Sequence, residues 1–182
     1  MIYLKHTLFY GTLGGIICLS WFLGVYSFGF NPFFSFWGNL VILLVGGNAF
    51  FSLYRFAKPL ETFSFGQGLL LGGLTVILTG LVACTGIYFA TQYFIPNAIE
   101  IYKSESLKHL LANKEALIKE SSLEIYNTYL KSIPDITVWN STTRYFTSNM
   151  VIPGLMFTIL SSLPLRKKSA SPQPLSEGEG LS

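Results

Sequence analysis

Four long apolar stretches without one charged side chain constrain this polypeptide more than any other feature. They are Leu8–Phe28, Phe33–Tyr54, Gly68–Phe94 and Tyr145–Leu165. Each reaches about the 20 residues that a helix needs to cross about 30 Å of hydrocarbon. The charges are segregated, before residue 7, at 55–61, at 100–144 and after 165. At 12% charged residues the chain carries about half the usual share of a soluble domain. An all-α, lipid-embedded bundle of four transmembrane helices with wet connectors is the expected fold class.

The chain must surface between Phe33 and Phe94, where Arg55, Lys58 and Glu61 lie beside Pro59. Three charges at the bilayer centre would cost about 7–10 kcal/mol, and one Leu or Ile returns at most about 0.6. A short loop over Arg55–Phe65 results, while the uncharged Gly29-Phe30-Asn31-Pro32 closes a tight hairpin between spans one and two. The first stretch is too long for a signal-peptide core and ends without a small-x-small site, so it is expected to stay as a span.

Basic residues set the orientation. With four spans, Lys5, Arg55, Lys58 and Arg166 to Lys168 share one face in short segments against the membrane, and that face is expected to be cytoplasmic. Both termini then lie in the cytoplasm. The opposite face carries the hairpin and the 96–144 loop, whose six basic residues are balanced by six acids. Trp21, Tyr26, Phe28, Phe30, Phe33, Phe34 and Trp37 at one end of the hairpin, with Tyr88, Tyr93, Phe94, Tyr145 and Phe146, form an interfacial aromatic belt.

Helical spacing of Leu107, Leu110, Leu111, Leu117 and Ile118 predicts an amphipathic helix in that loop. A second is predicted from a capping box, Ser121 as N-cap and Glu124 at the third position, ending before Pro134. The two lie either on the lipid interface or over the mouth of the bundle. Residues 1–168 make one domain, and 169–182, rich in Ser, Pro, Gly and Glu, is expected to be a disordered cytoplasmic tail.

Small residues line two spans: Gly11, Gly14 and Gly15 in the first, and Gly68, Gly72, Gly73, Gly80 and Gly86 in the third. Such faces let helix backbones approach closely, within the chain or between copies, so other membrane proteins or self-association through them are the expected partners beside the lipid bilayer. Asn48 is the one strongly polar residue deep in the second span. An interhelical bond to Thr75, Thr79 or Ser20 is expected. A small transporter or channel with a polar path around Asn48, Thr75 and Thr79 is the alternative.

Chemistry is otherwise sparse. No span holds an acid, a base or a His-Glu-x-x-His pattern, so no catalytic, cofactor-binding or metal site is assigned and no enzyme is expected. His6 and His109 fall on opposite sides of the membrane and cannot share a metal. Cys18 and Cys84 read as packing residues. A net charge of +3, scattered along the chain, offers nothing for nucleic acid. Ser64 is placed to cap span three.

The order of these parts resembles a family known as domain of unknown function 4199, found mainly in Bacteroidota. The likeness rests on Tyr10-Gly11-Thr12-Leu13-Gly14-Gly15, on Tyr54-Arg55, on Thr62-Phe63-Ser64-Phe65-Gly66-Gln67-Gly68, on the helical loop after Pro96, and on Ile152-Pro153-Gly154-Leu155 before Arg166-Lys167-Lys168. Gln67 and Gly68 stand where the pattern often has Lys and Ala. The resemblance implies four transmembrane helices in a bacterial inner membrane and supplies no activity. A non-enzymatic structural or accessory role, through helix packing and the outer loop, is therefore the functional expectation.

Overall fold

The computed structural model describes residues 2–167. Lys168 and the tail assigned to 169–182 lie outside the described residues. Those residues form helices α1 (Ile2–Ser27), α2 (Phe36–Asn39), α3 (Val41–Ala57), α4 (Phe65–Phe89), α5 (Asn97–Ala112), α6 (Lys114–Glu120), α7 (Leu123–Ser132), α8 (Val138–Tyr145) and α9 (Ile152–Ser162). Two π turns, Ala90–Phe94 and Phe146–Val151, extend α4 and join α8 to α9. Among the described residues the one extended pairing is a backbone bridge between Phe63 and Lys167.

Local chemistry sets the helix ends. α1 stops at Gly29, whose φ of 83° is strained for any residue with a Cβ. The Phe30 N–H donates to the Val25 carbonyl at 3.2 Å and the Gly29 N–H to that of Tyr26 at 2.9 Å, a Schellman close. Ser35 caps α2 by accepting the Gly38 N–H at 3.1 Å. Ser64 caps α4 as expected, and Gln67 returns the bond to the Ser64 N–H at 2.8 Å. Each π turn lies just ahead of a proline, Pro96 or Pro153. Proline removes a donor and its ring crowds the carbonyl four residues back, and a widened turn relieves both.

Three helices are long and apolar enough to cross a membrane: Tyr3–Ser27, Phe36–Ala57 and Phe65–Phe94. The predicted fourth stretch is helical too, but its bounds move from Tyr145–Leu165 to a continuous Val138–Ser162. Its first half carries Asn140, Arg144 and Asn149, so it falls short of the other three in apolarity. It nonetheless packs against both α3 and α4.

The strands of contact at one end fix an up-and-down arrangement. The Tyr3 ring lies 4.7 Å from that of Phe56, and the Gln67 amide donates to the Tyr3 hydroxyl at 3.2 Å. The start of α1, the end of α3, the start of α4 and the exit of α9 therefore meet, bringing Arg55, Lys58, Arg166 and Lys167 to one end. Lys167 Nζ donates to the carbonyls of Ala57, Lys58 and Leu60 at 2.9–3.1 Å, closing the open C-terminus of α3.

At the other end α5, α6 and α7 form a helical cap. Two expectations need correction here. The predicted first loop helix is two, broken at Asn113, which leaves the helical region with φ −104° and ψ 17°. The capping residue of α7 is Ser122, not Ser121: its Oγ accepts the Ile125 N–H at 3.2 Å. Glu124 then sits at the second position, and the Ser121–Glu124 capping box does not form.

Candidate functional site

Several polar groups inside the bundle are used in helix packing, while the buried hydroxyls of Thr7, Thr91 and Thr142 have no hydrogen-bond partner. The Asn48 amide donates to the Tyr10 carbonyl and to Thr79 Oγ1, each at 3.1 Å, tying α3 to α1 and α4. Of the predicted partners, Thr79 is correct, whereas Ser20 is exposed and Thr75 bonds the Leu71 carbonyl at 2.8 Å and lies 3.4 Å from Ser52 Oγ. Glycine makes the approach possible. A Cβ at Gly14 would collide with the Asn48 amide and stand 2.8 Å from Thr79 Oγ1.

The glycine face of α4 is occupied within the chain as well. Gly80 receives the Phe146 ring, which a Cβ would meet at 2.6 Å, and Gly72 receives Thr158. On the other side Gly86 meets Leu19 of α1. Cys18 is buried and Cys84 half-buried, and both thiols are free. His6 Nε2 lies 2.9 Å from the Ser52 carbonyl at the end where Lys167 binds, while the His109 ring packs on Phe34, centroids 5.6 Å apart, at the other. Among the described residues no three metal-ligating side chains cluster.

A polar-lined cavity of about 580 Å³ lies between the cap and the bundle mouth. Three contacts seat the cap there. Asn31, itself buried, uses its amide to donate to the Ala98 carbonyl at 3.1 Å, and its Oδ1 accepts the Phe33 N–H at 2.9 Å. Tyr102 packs on Phe33 with centroids 5.8 Å apart, and His109 on Phe34. Phe33 and Phe34, assigned to an interfacial belt, thus serve as the platform for the cap.

One stripe of the α8–α9 helix faces the cavity: Ser141, Arg144, Tyr145, Ser148 and Asn149. Their i, i+3, i+4, i+7, i+8 spacing is one helix face. Tyr145 is buried and its hydroxyl donates to the Gly38 carbonyl at 2.8 Å, and the Asn149 amide donates to Asn39 Oδ1 at 2.6 Å. Both bonds pin the stripe to the α2 turn. Ser141 Oγ is buried with no hydrogen-bond partner. Arg144 has no carboxylate within 4.0 Å among the described residues, where the one ion pair is Lys103–Glu100.

A family model described as "Protein of unknown function (DUF4199)" matches residues 9–167. The chain belongs to that family. The match takes in every helix of this DUF4199 member except the first turns of α1, and so includes the whole cavity wall. The segments behind the sequence resemblance, which run from Tyr10 to Lys168, fall inside it except for Lys168. No curated protein and no solved structure matches the chain.

Sequence reasoning missed three roles in this DUF4199 chain: Asn31 as the seat of the cap, Lys167 as a helix cap, and the stripe around Arg144 as a cavity wall. The last had a signal, a run of polar side chains at helical spacing. It was hidden because Arg144 was counted among the balanced charges of the loop.

Proposed function

We propose that this DUF4199 chain is a four-span protein of a bacterial inner membrane, with both termini in the cytoplasm, acting without catalysis as an accessory component through its outer helical cap. One observation carries the reading: the cap is seated on the bundle by specific contacts and overlies a cavity of mixed lining, while Asn48, deep in the bundle, is bonded to Tyr10 and Thr79 of neighbouring helices. The packing of α9 against α3 and α4, and of α8 against α4, supports a fourth span. The basic residues at the opposite end support a cytoplasmic face there. With the glycine faces of α1 and α4 occupied inside the chain, partner contacts fall to the cap and its rim.

The seating of the cap is tested by crosslinking. In a full chain with Cys18 and Cys84 replaced by Ala, Phe34→Cys and His109→Cys should be joined in high yield by a short bis-maleimide in native membranes. Failure to crosslink, with both thiols reactive, removes the covered mouth and this reading with it. The competing transporter reading draws on the buried polar seam of Asn48, Thr79, Ser52 and Thr75. It requires that the full chain carry a solute in proteoliposomes and that Asn48→Leu abolish the flux.

A further inference from the structure

We infer that the cavity beneath the cap binds an anionic amphiphile, a phosphate or carboxylate head carrying an apolar body, with Arg144 and Ser141 holding the head. The inference rests on the covered mouth proposed above and adds the chemistry of its occupant.

The lining decides the sign of the ligand. Arg144 is the permanent charge on the wall, and no Asp or Glu lines it. Asp135 lies between two lining residues, Ile133 and Ile136, but is exposed and does not itself line the cavity. Glu105, whose Oε2 is buried without a hydrogen-bond partner, lines an adjoining space beside Lys108 that shares Phe34 and His109 with the cavity. Arg144 is exposed on the wall, and a guanidinium without a carboxylate offers its donors in a fork that matches phosphate or carboxylate.

The second observation is Ser141. It is 5% exposed, lines the cavity one helical turn before Arg144, and its hydroxyl has no partner. Thr7, Thr91 and Thr142 also bury unpaired hydroxyls, but of these four only Ser141 lines the cavity, where a ligand atom would supply the missing bond. Both groups stand on one helix face, and an anion between them would gain both. The rest of the wall selects for an apolar body: Leu110, Leu117, Ile133 and Ile136 come from the cap helices and the loop behind them. At about 580 Å³ the space suits a head group with a short apolar segment.

The head could arrive from a membrane lipid or from a soluble amphiphile, and the test separates them. The full chain is placed in nanodiscs of phosphatidylcholine and titrated with lysophosphatidate, lysophosphatidylcholine of equal chain length, and glycerol 3-phosphate. Saturable binding of lysophosphatidate is expected. It should weaken about tenfold in Arg144→Gln, the loss of one charge-assisted contact, and less in Arg144→Lys and Ser141→Ala. Glycerol 3-phosphate should bind much more weakly because it lacks the apolar body. If nanodiscs containing phosphatidylglycerol suppress the binding, the native source is bilayer lipid; if they do not, it is a soluble amphiphile.

Equal affinity for lysophosphatidylcholine, or unchanged affinity in Arg144→Gln at an unchanged melting temperature, overturns the inference. If Arg144→Gln melts early, Arg144→Lys and Ser141→Ala decide: neither weakening the binding is equally fatal. A chain that crosslinks Phe34→Cys to His109→Cys yet shows no charge-dependent binding loses the ligand and keeps the cap. A chain that fails to crosslink loses both.

Discussion

Gly14 and Asn48 form a coupled pair whose energetics are open to a double-mutant cycle. Asn48→Ala removes two donated bonds, to the Tyr10 carbonyl and Thr79 Oγ1. At about 0.6 kcal/mol for an average transmembrane hydrogen bond, the loss is about 1.2 kcal/mol. Gly14→Ala drives a methyl into the Asn48 amide and to 2.8 Å from Thr79 Oγ1. Overpacking a tight site costs about 1–3 kcal/mol, and alanine recovers up to about 1 kcal/mol of helix propensity, leaving a net cost of roughly 0–2. With alanine at 48 the amide is gone and only the Thr79 hydroxyl, which can rotate, is left in the way. The same Gly14→Ala change should then cost about 1 kcal/mol less than in the native background.

The assay is equilibrium unfolding of the four proteins in mixed micelles of increasing denaturing detergent. Independent sites add to within about 0.3–0.5 kcal/mol, so the predicted coupling stands clear of that margin. Additivity within it would show that the two residues do not touch, and the packing of α1 on α3 and α4 would need another register.

Other glycines should rank by what faces them. Gly80→Leu should destabilise strongly because its Cβ meets the Phe146 ring at 2.6 Å. Gly73→Leu, with Leu155 at 3.6 Å, should cost less, and Gly47→Leu, with open space, should be near neutral in the same unfolding assay. Ser122→Ala should cost about 1 kcal/mol of α7 stability, seen as faster amide exchange over residues 123–126, while Ser121→Ala should leave exchange there unchanged. Asn31→Ala, losing the bond to the Ala98 carbonyl, should speed exchange at the start of α5 without unfolding the bundle.

What the amino-acid order announces about this fold follows from the solvent that each segment requires. Residues 8–28, 33–54 and 68–94 read as spans because one carbonyl or amide left unpaired in lipid is costly, and a helix is the local answer. Ser64 and Gln67 were legible because a capping box is a contact between neighbours in sequence. Ser122 was missed for a related reason: Ser121 and Ser122 are both capable, and only the backbone turn after Glu120 decides which one has an extended φ and ψ.

The candidate site was less legible because its parts come from segments far apart in the chain. Asn31 and Ala98, or Arg144 and Ile133, are brought together by the docking of the cap, which leaves no local periodicity. Lys167 illustrates the same point. It read as a membrane-flanking charge, and its position also lets the ammonium serve three carbonyls at the end of a helix more than 100 residues earlier in the chain. Residues 138–144 at the start of the fourth helix read as loop because charge and hydroxyls mask a helix whose stripe faces a cavity.

Site-directed thiol labelling tests the layout most directly. Lys5→Cys, Lys58→Cys and Lys114→Cys are each placed in the full chain lacking Cys18 and Cys84, and intact cells are treated with a membrane-impermeant maleimide. Labelling of Lys114→Cys alone, with Lys5→Cys and Lys58→Cys reacting only after permeabilisation, is the predicted result. Labelling of Lys58→Cys and Lys114→Cys from the same side would contradict it.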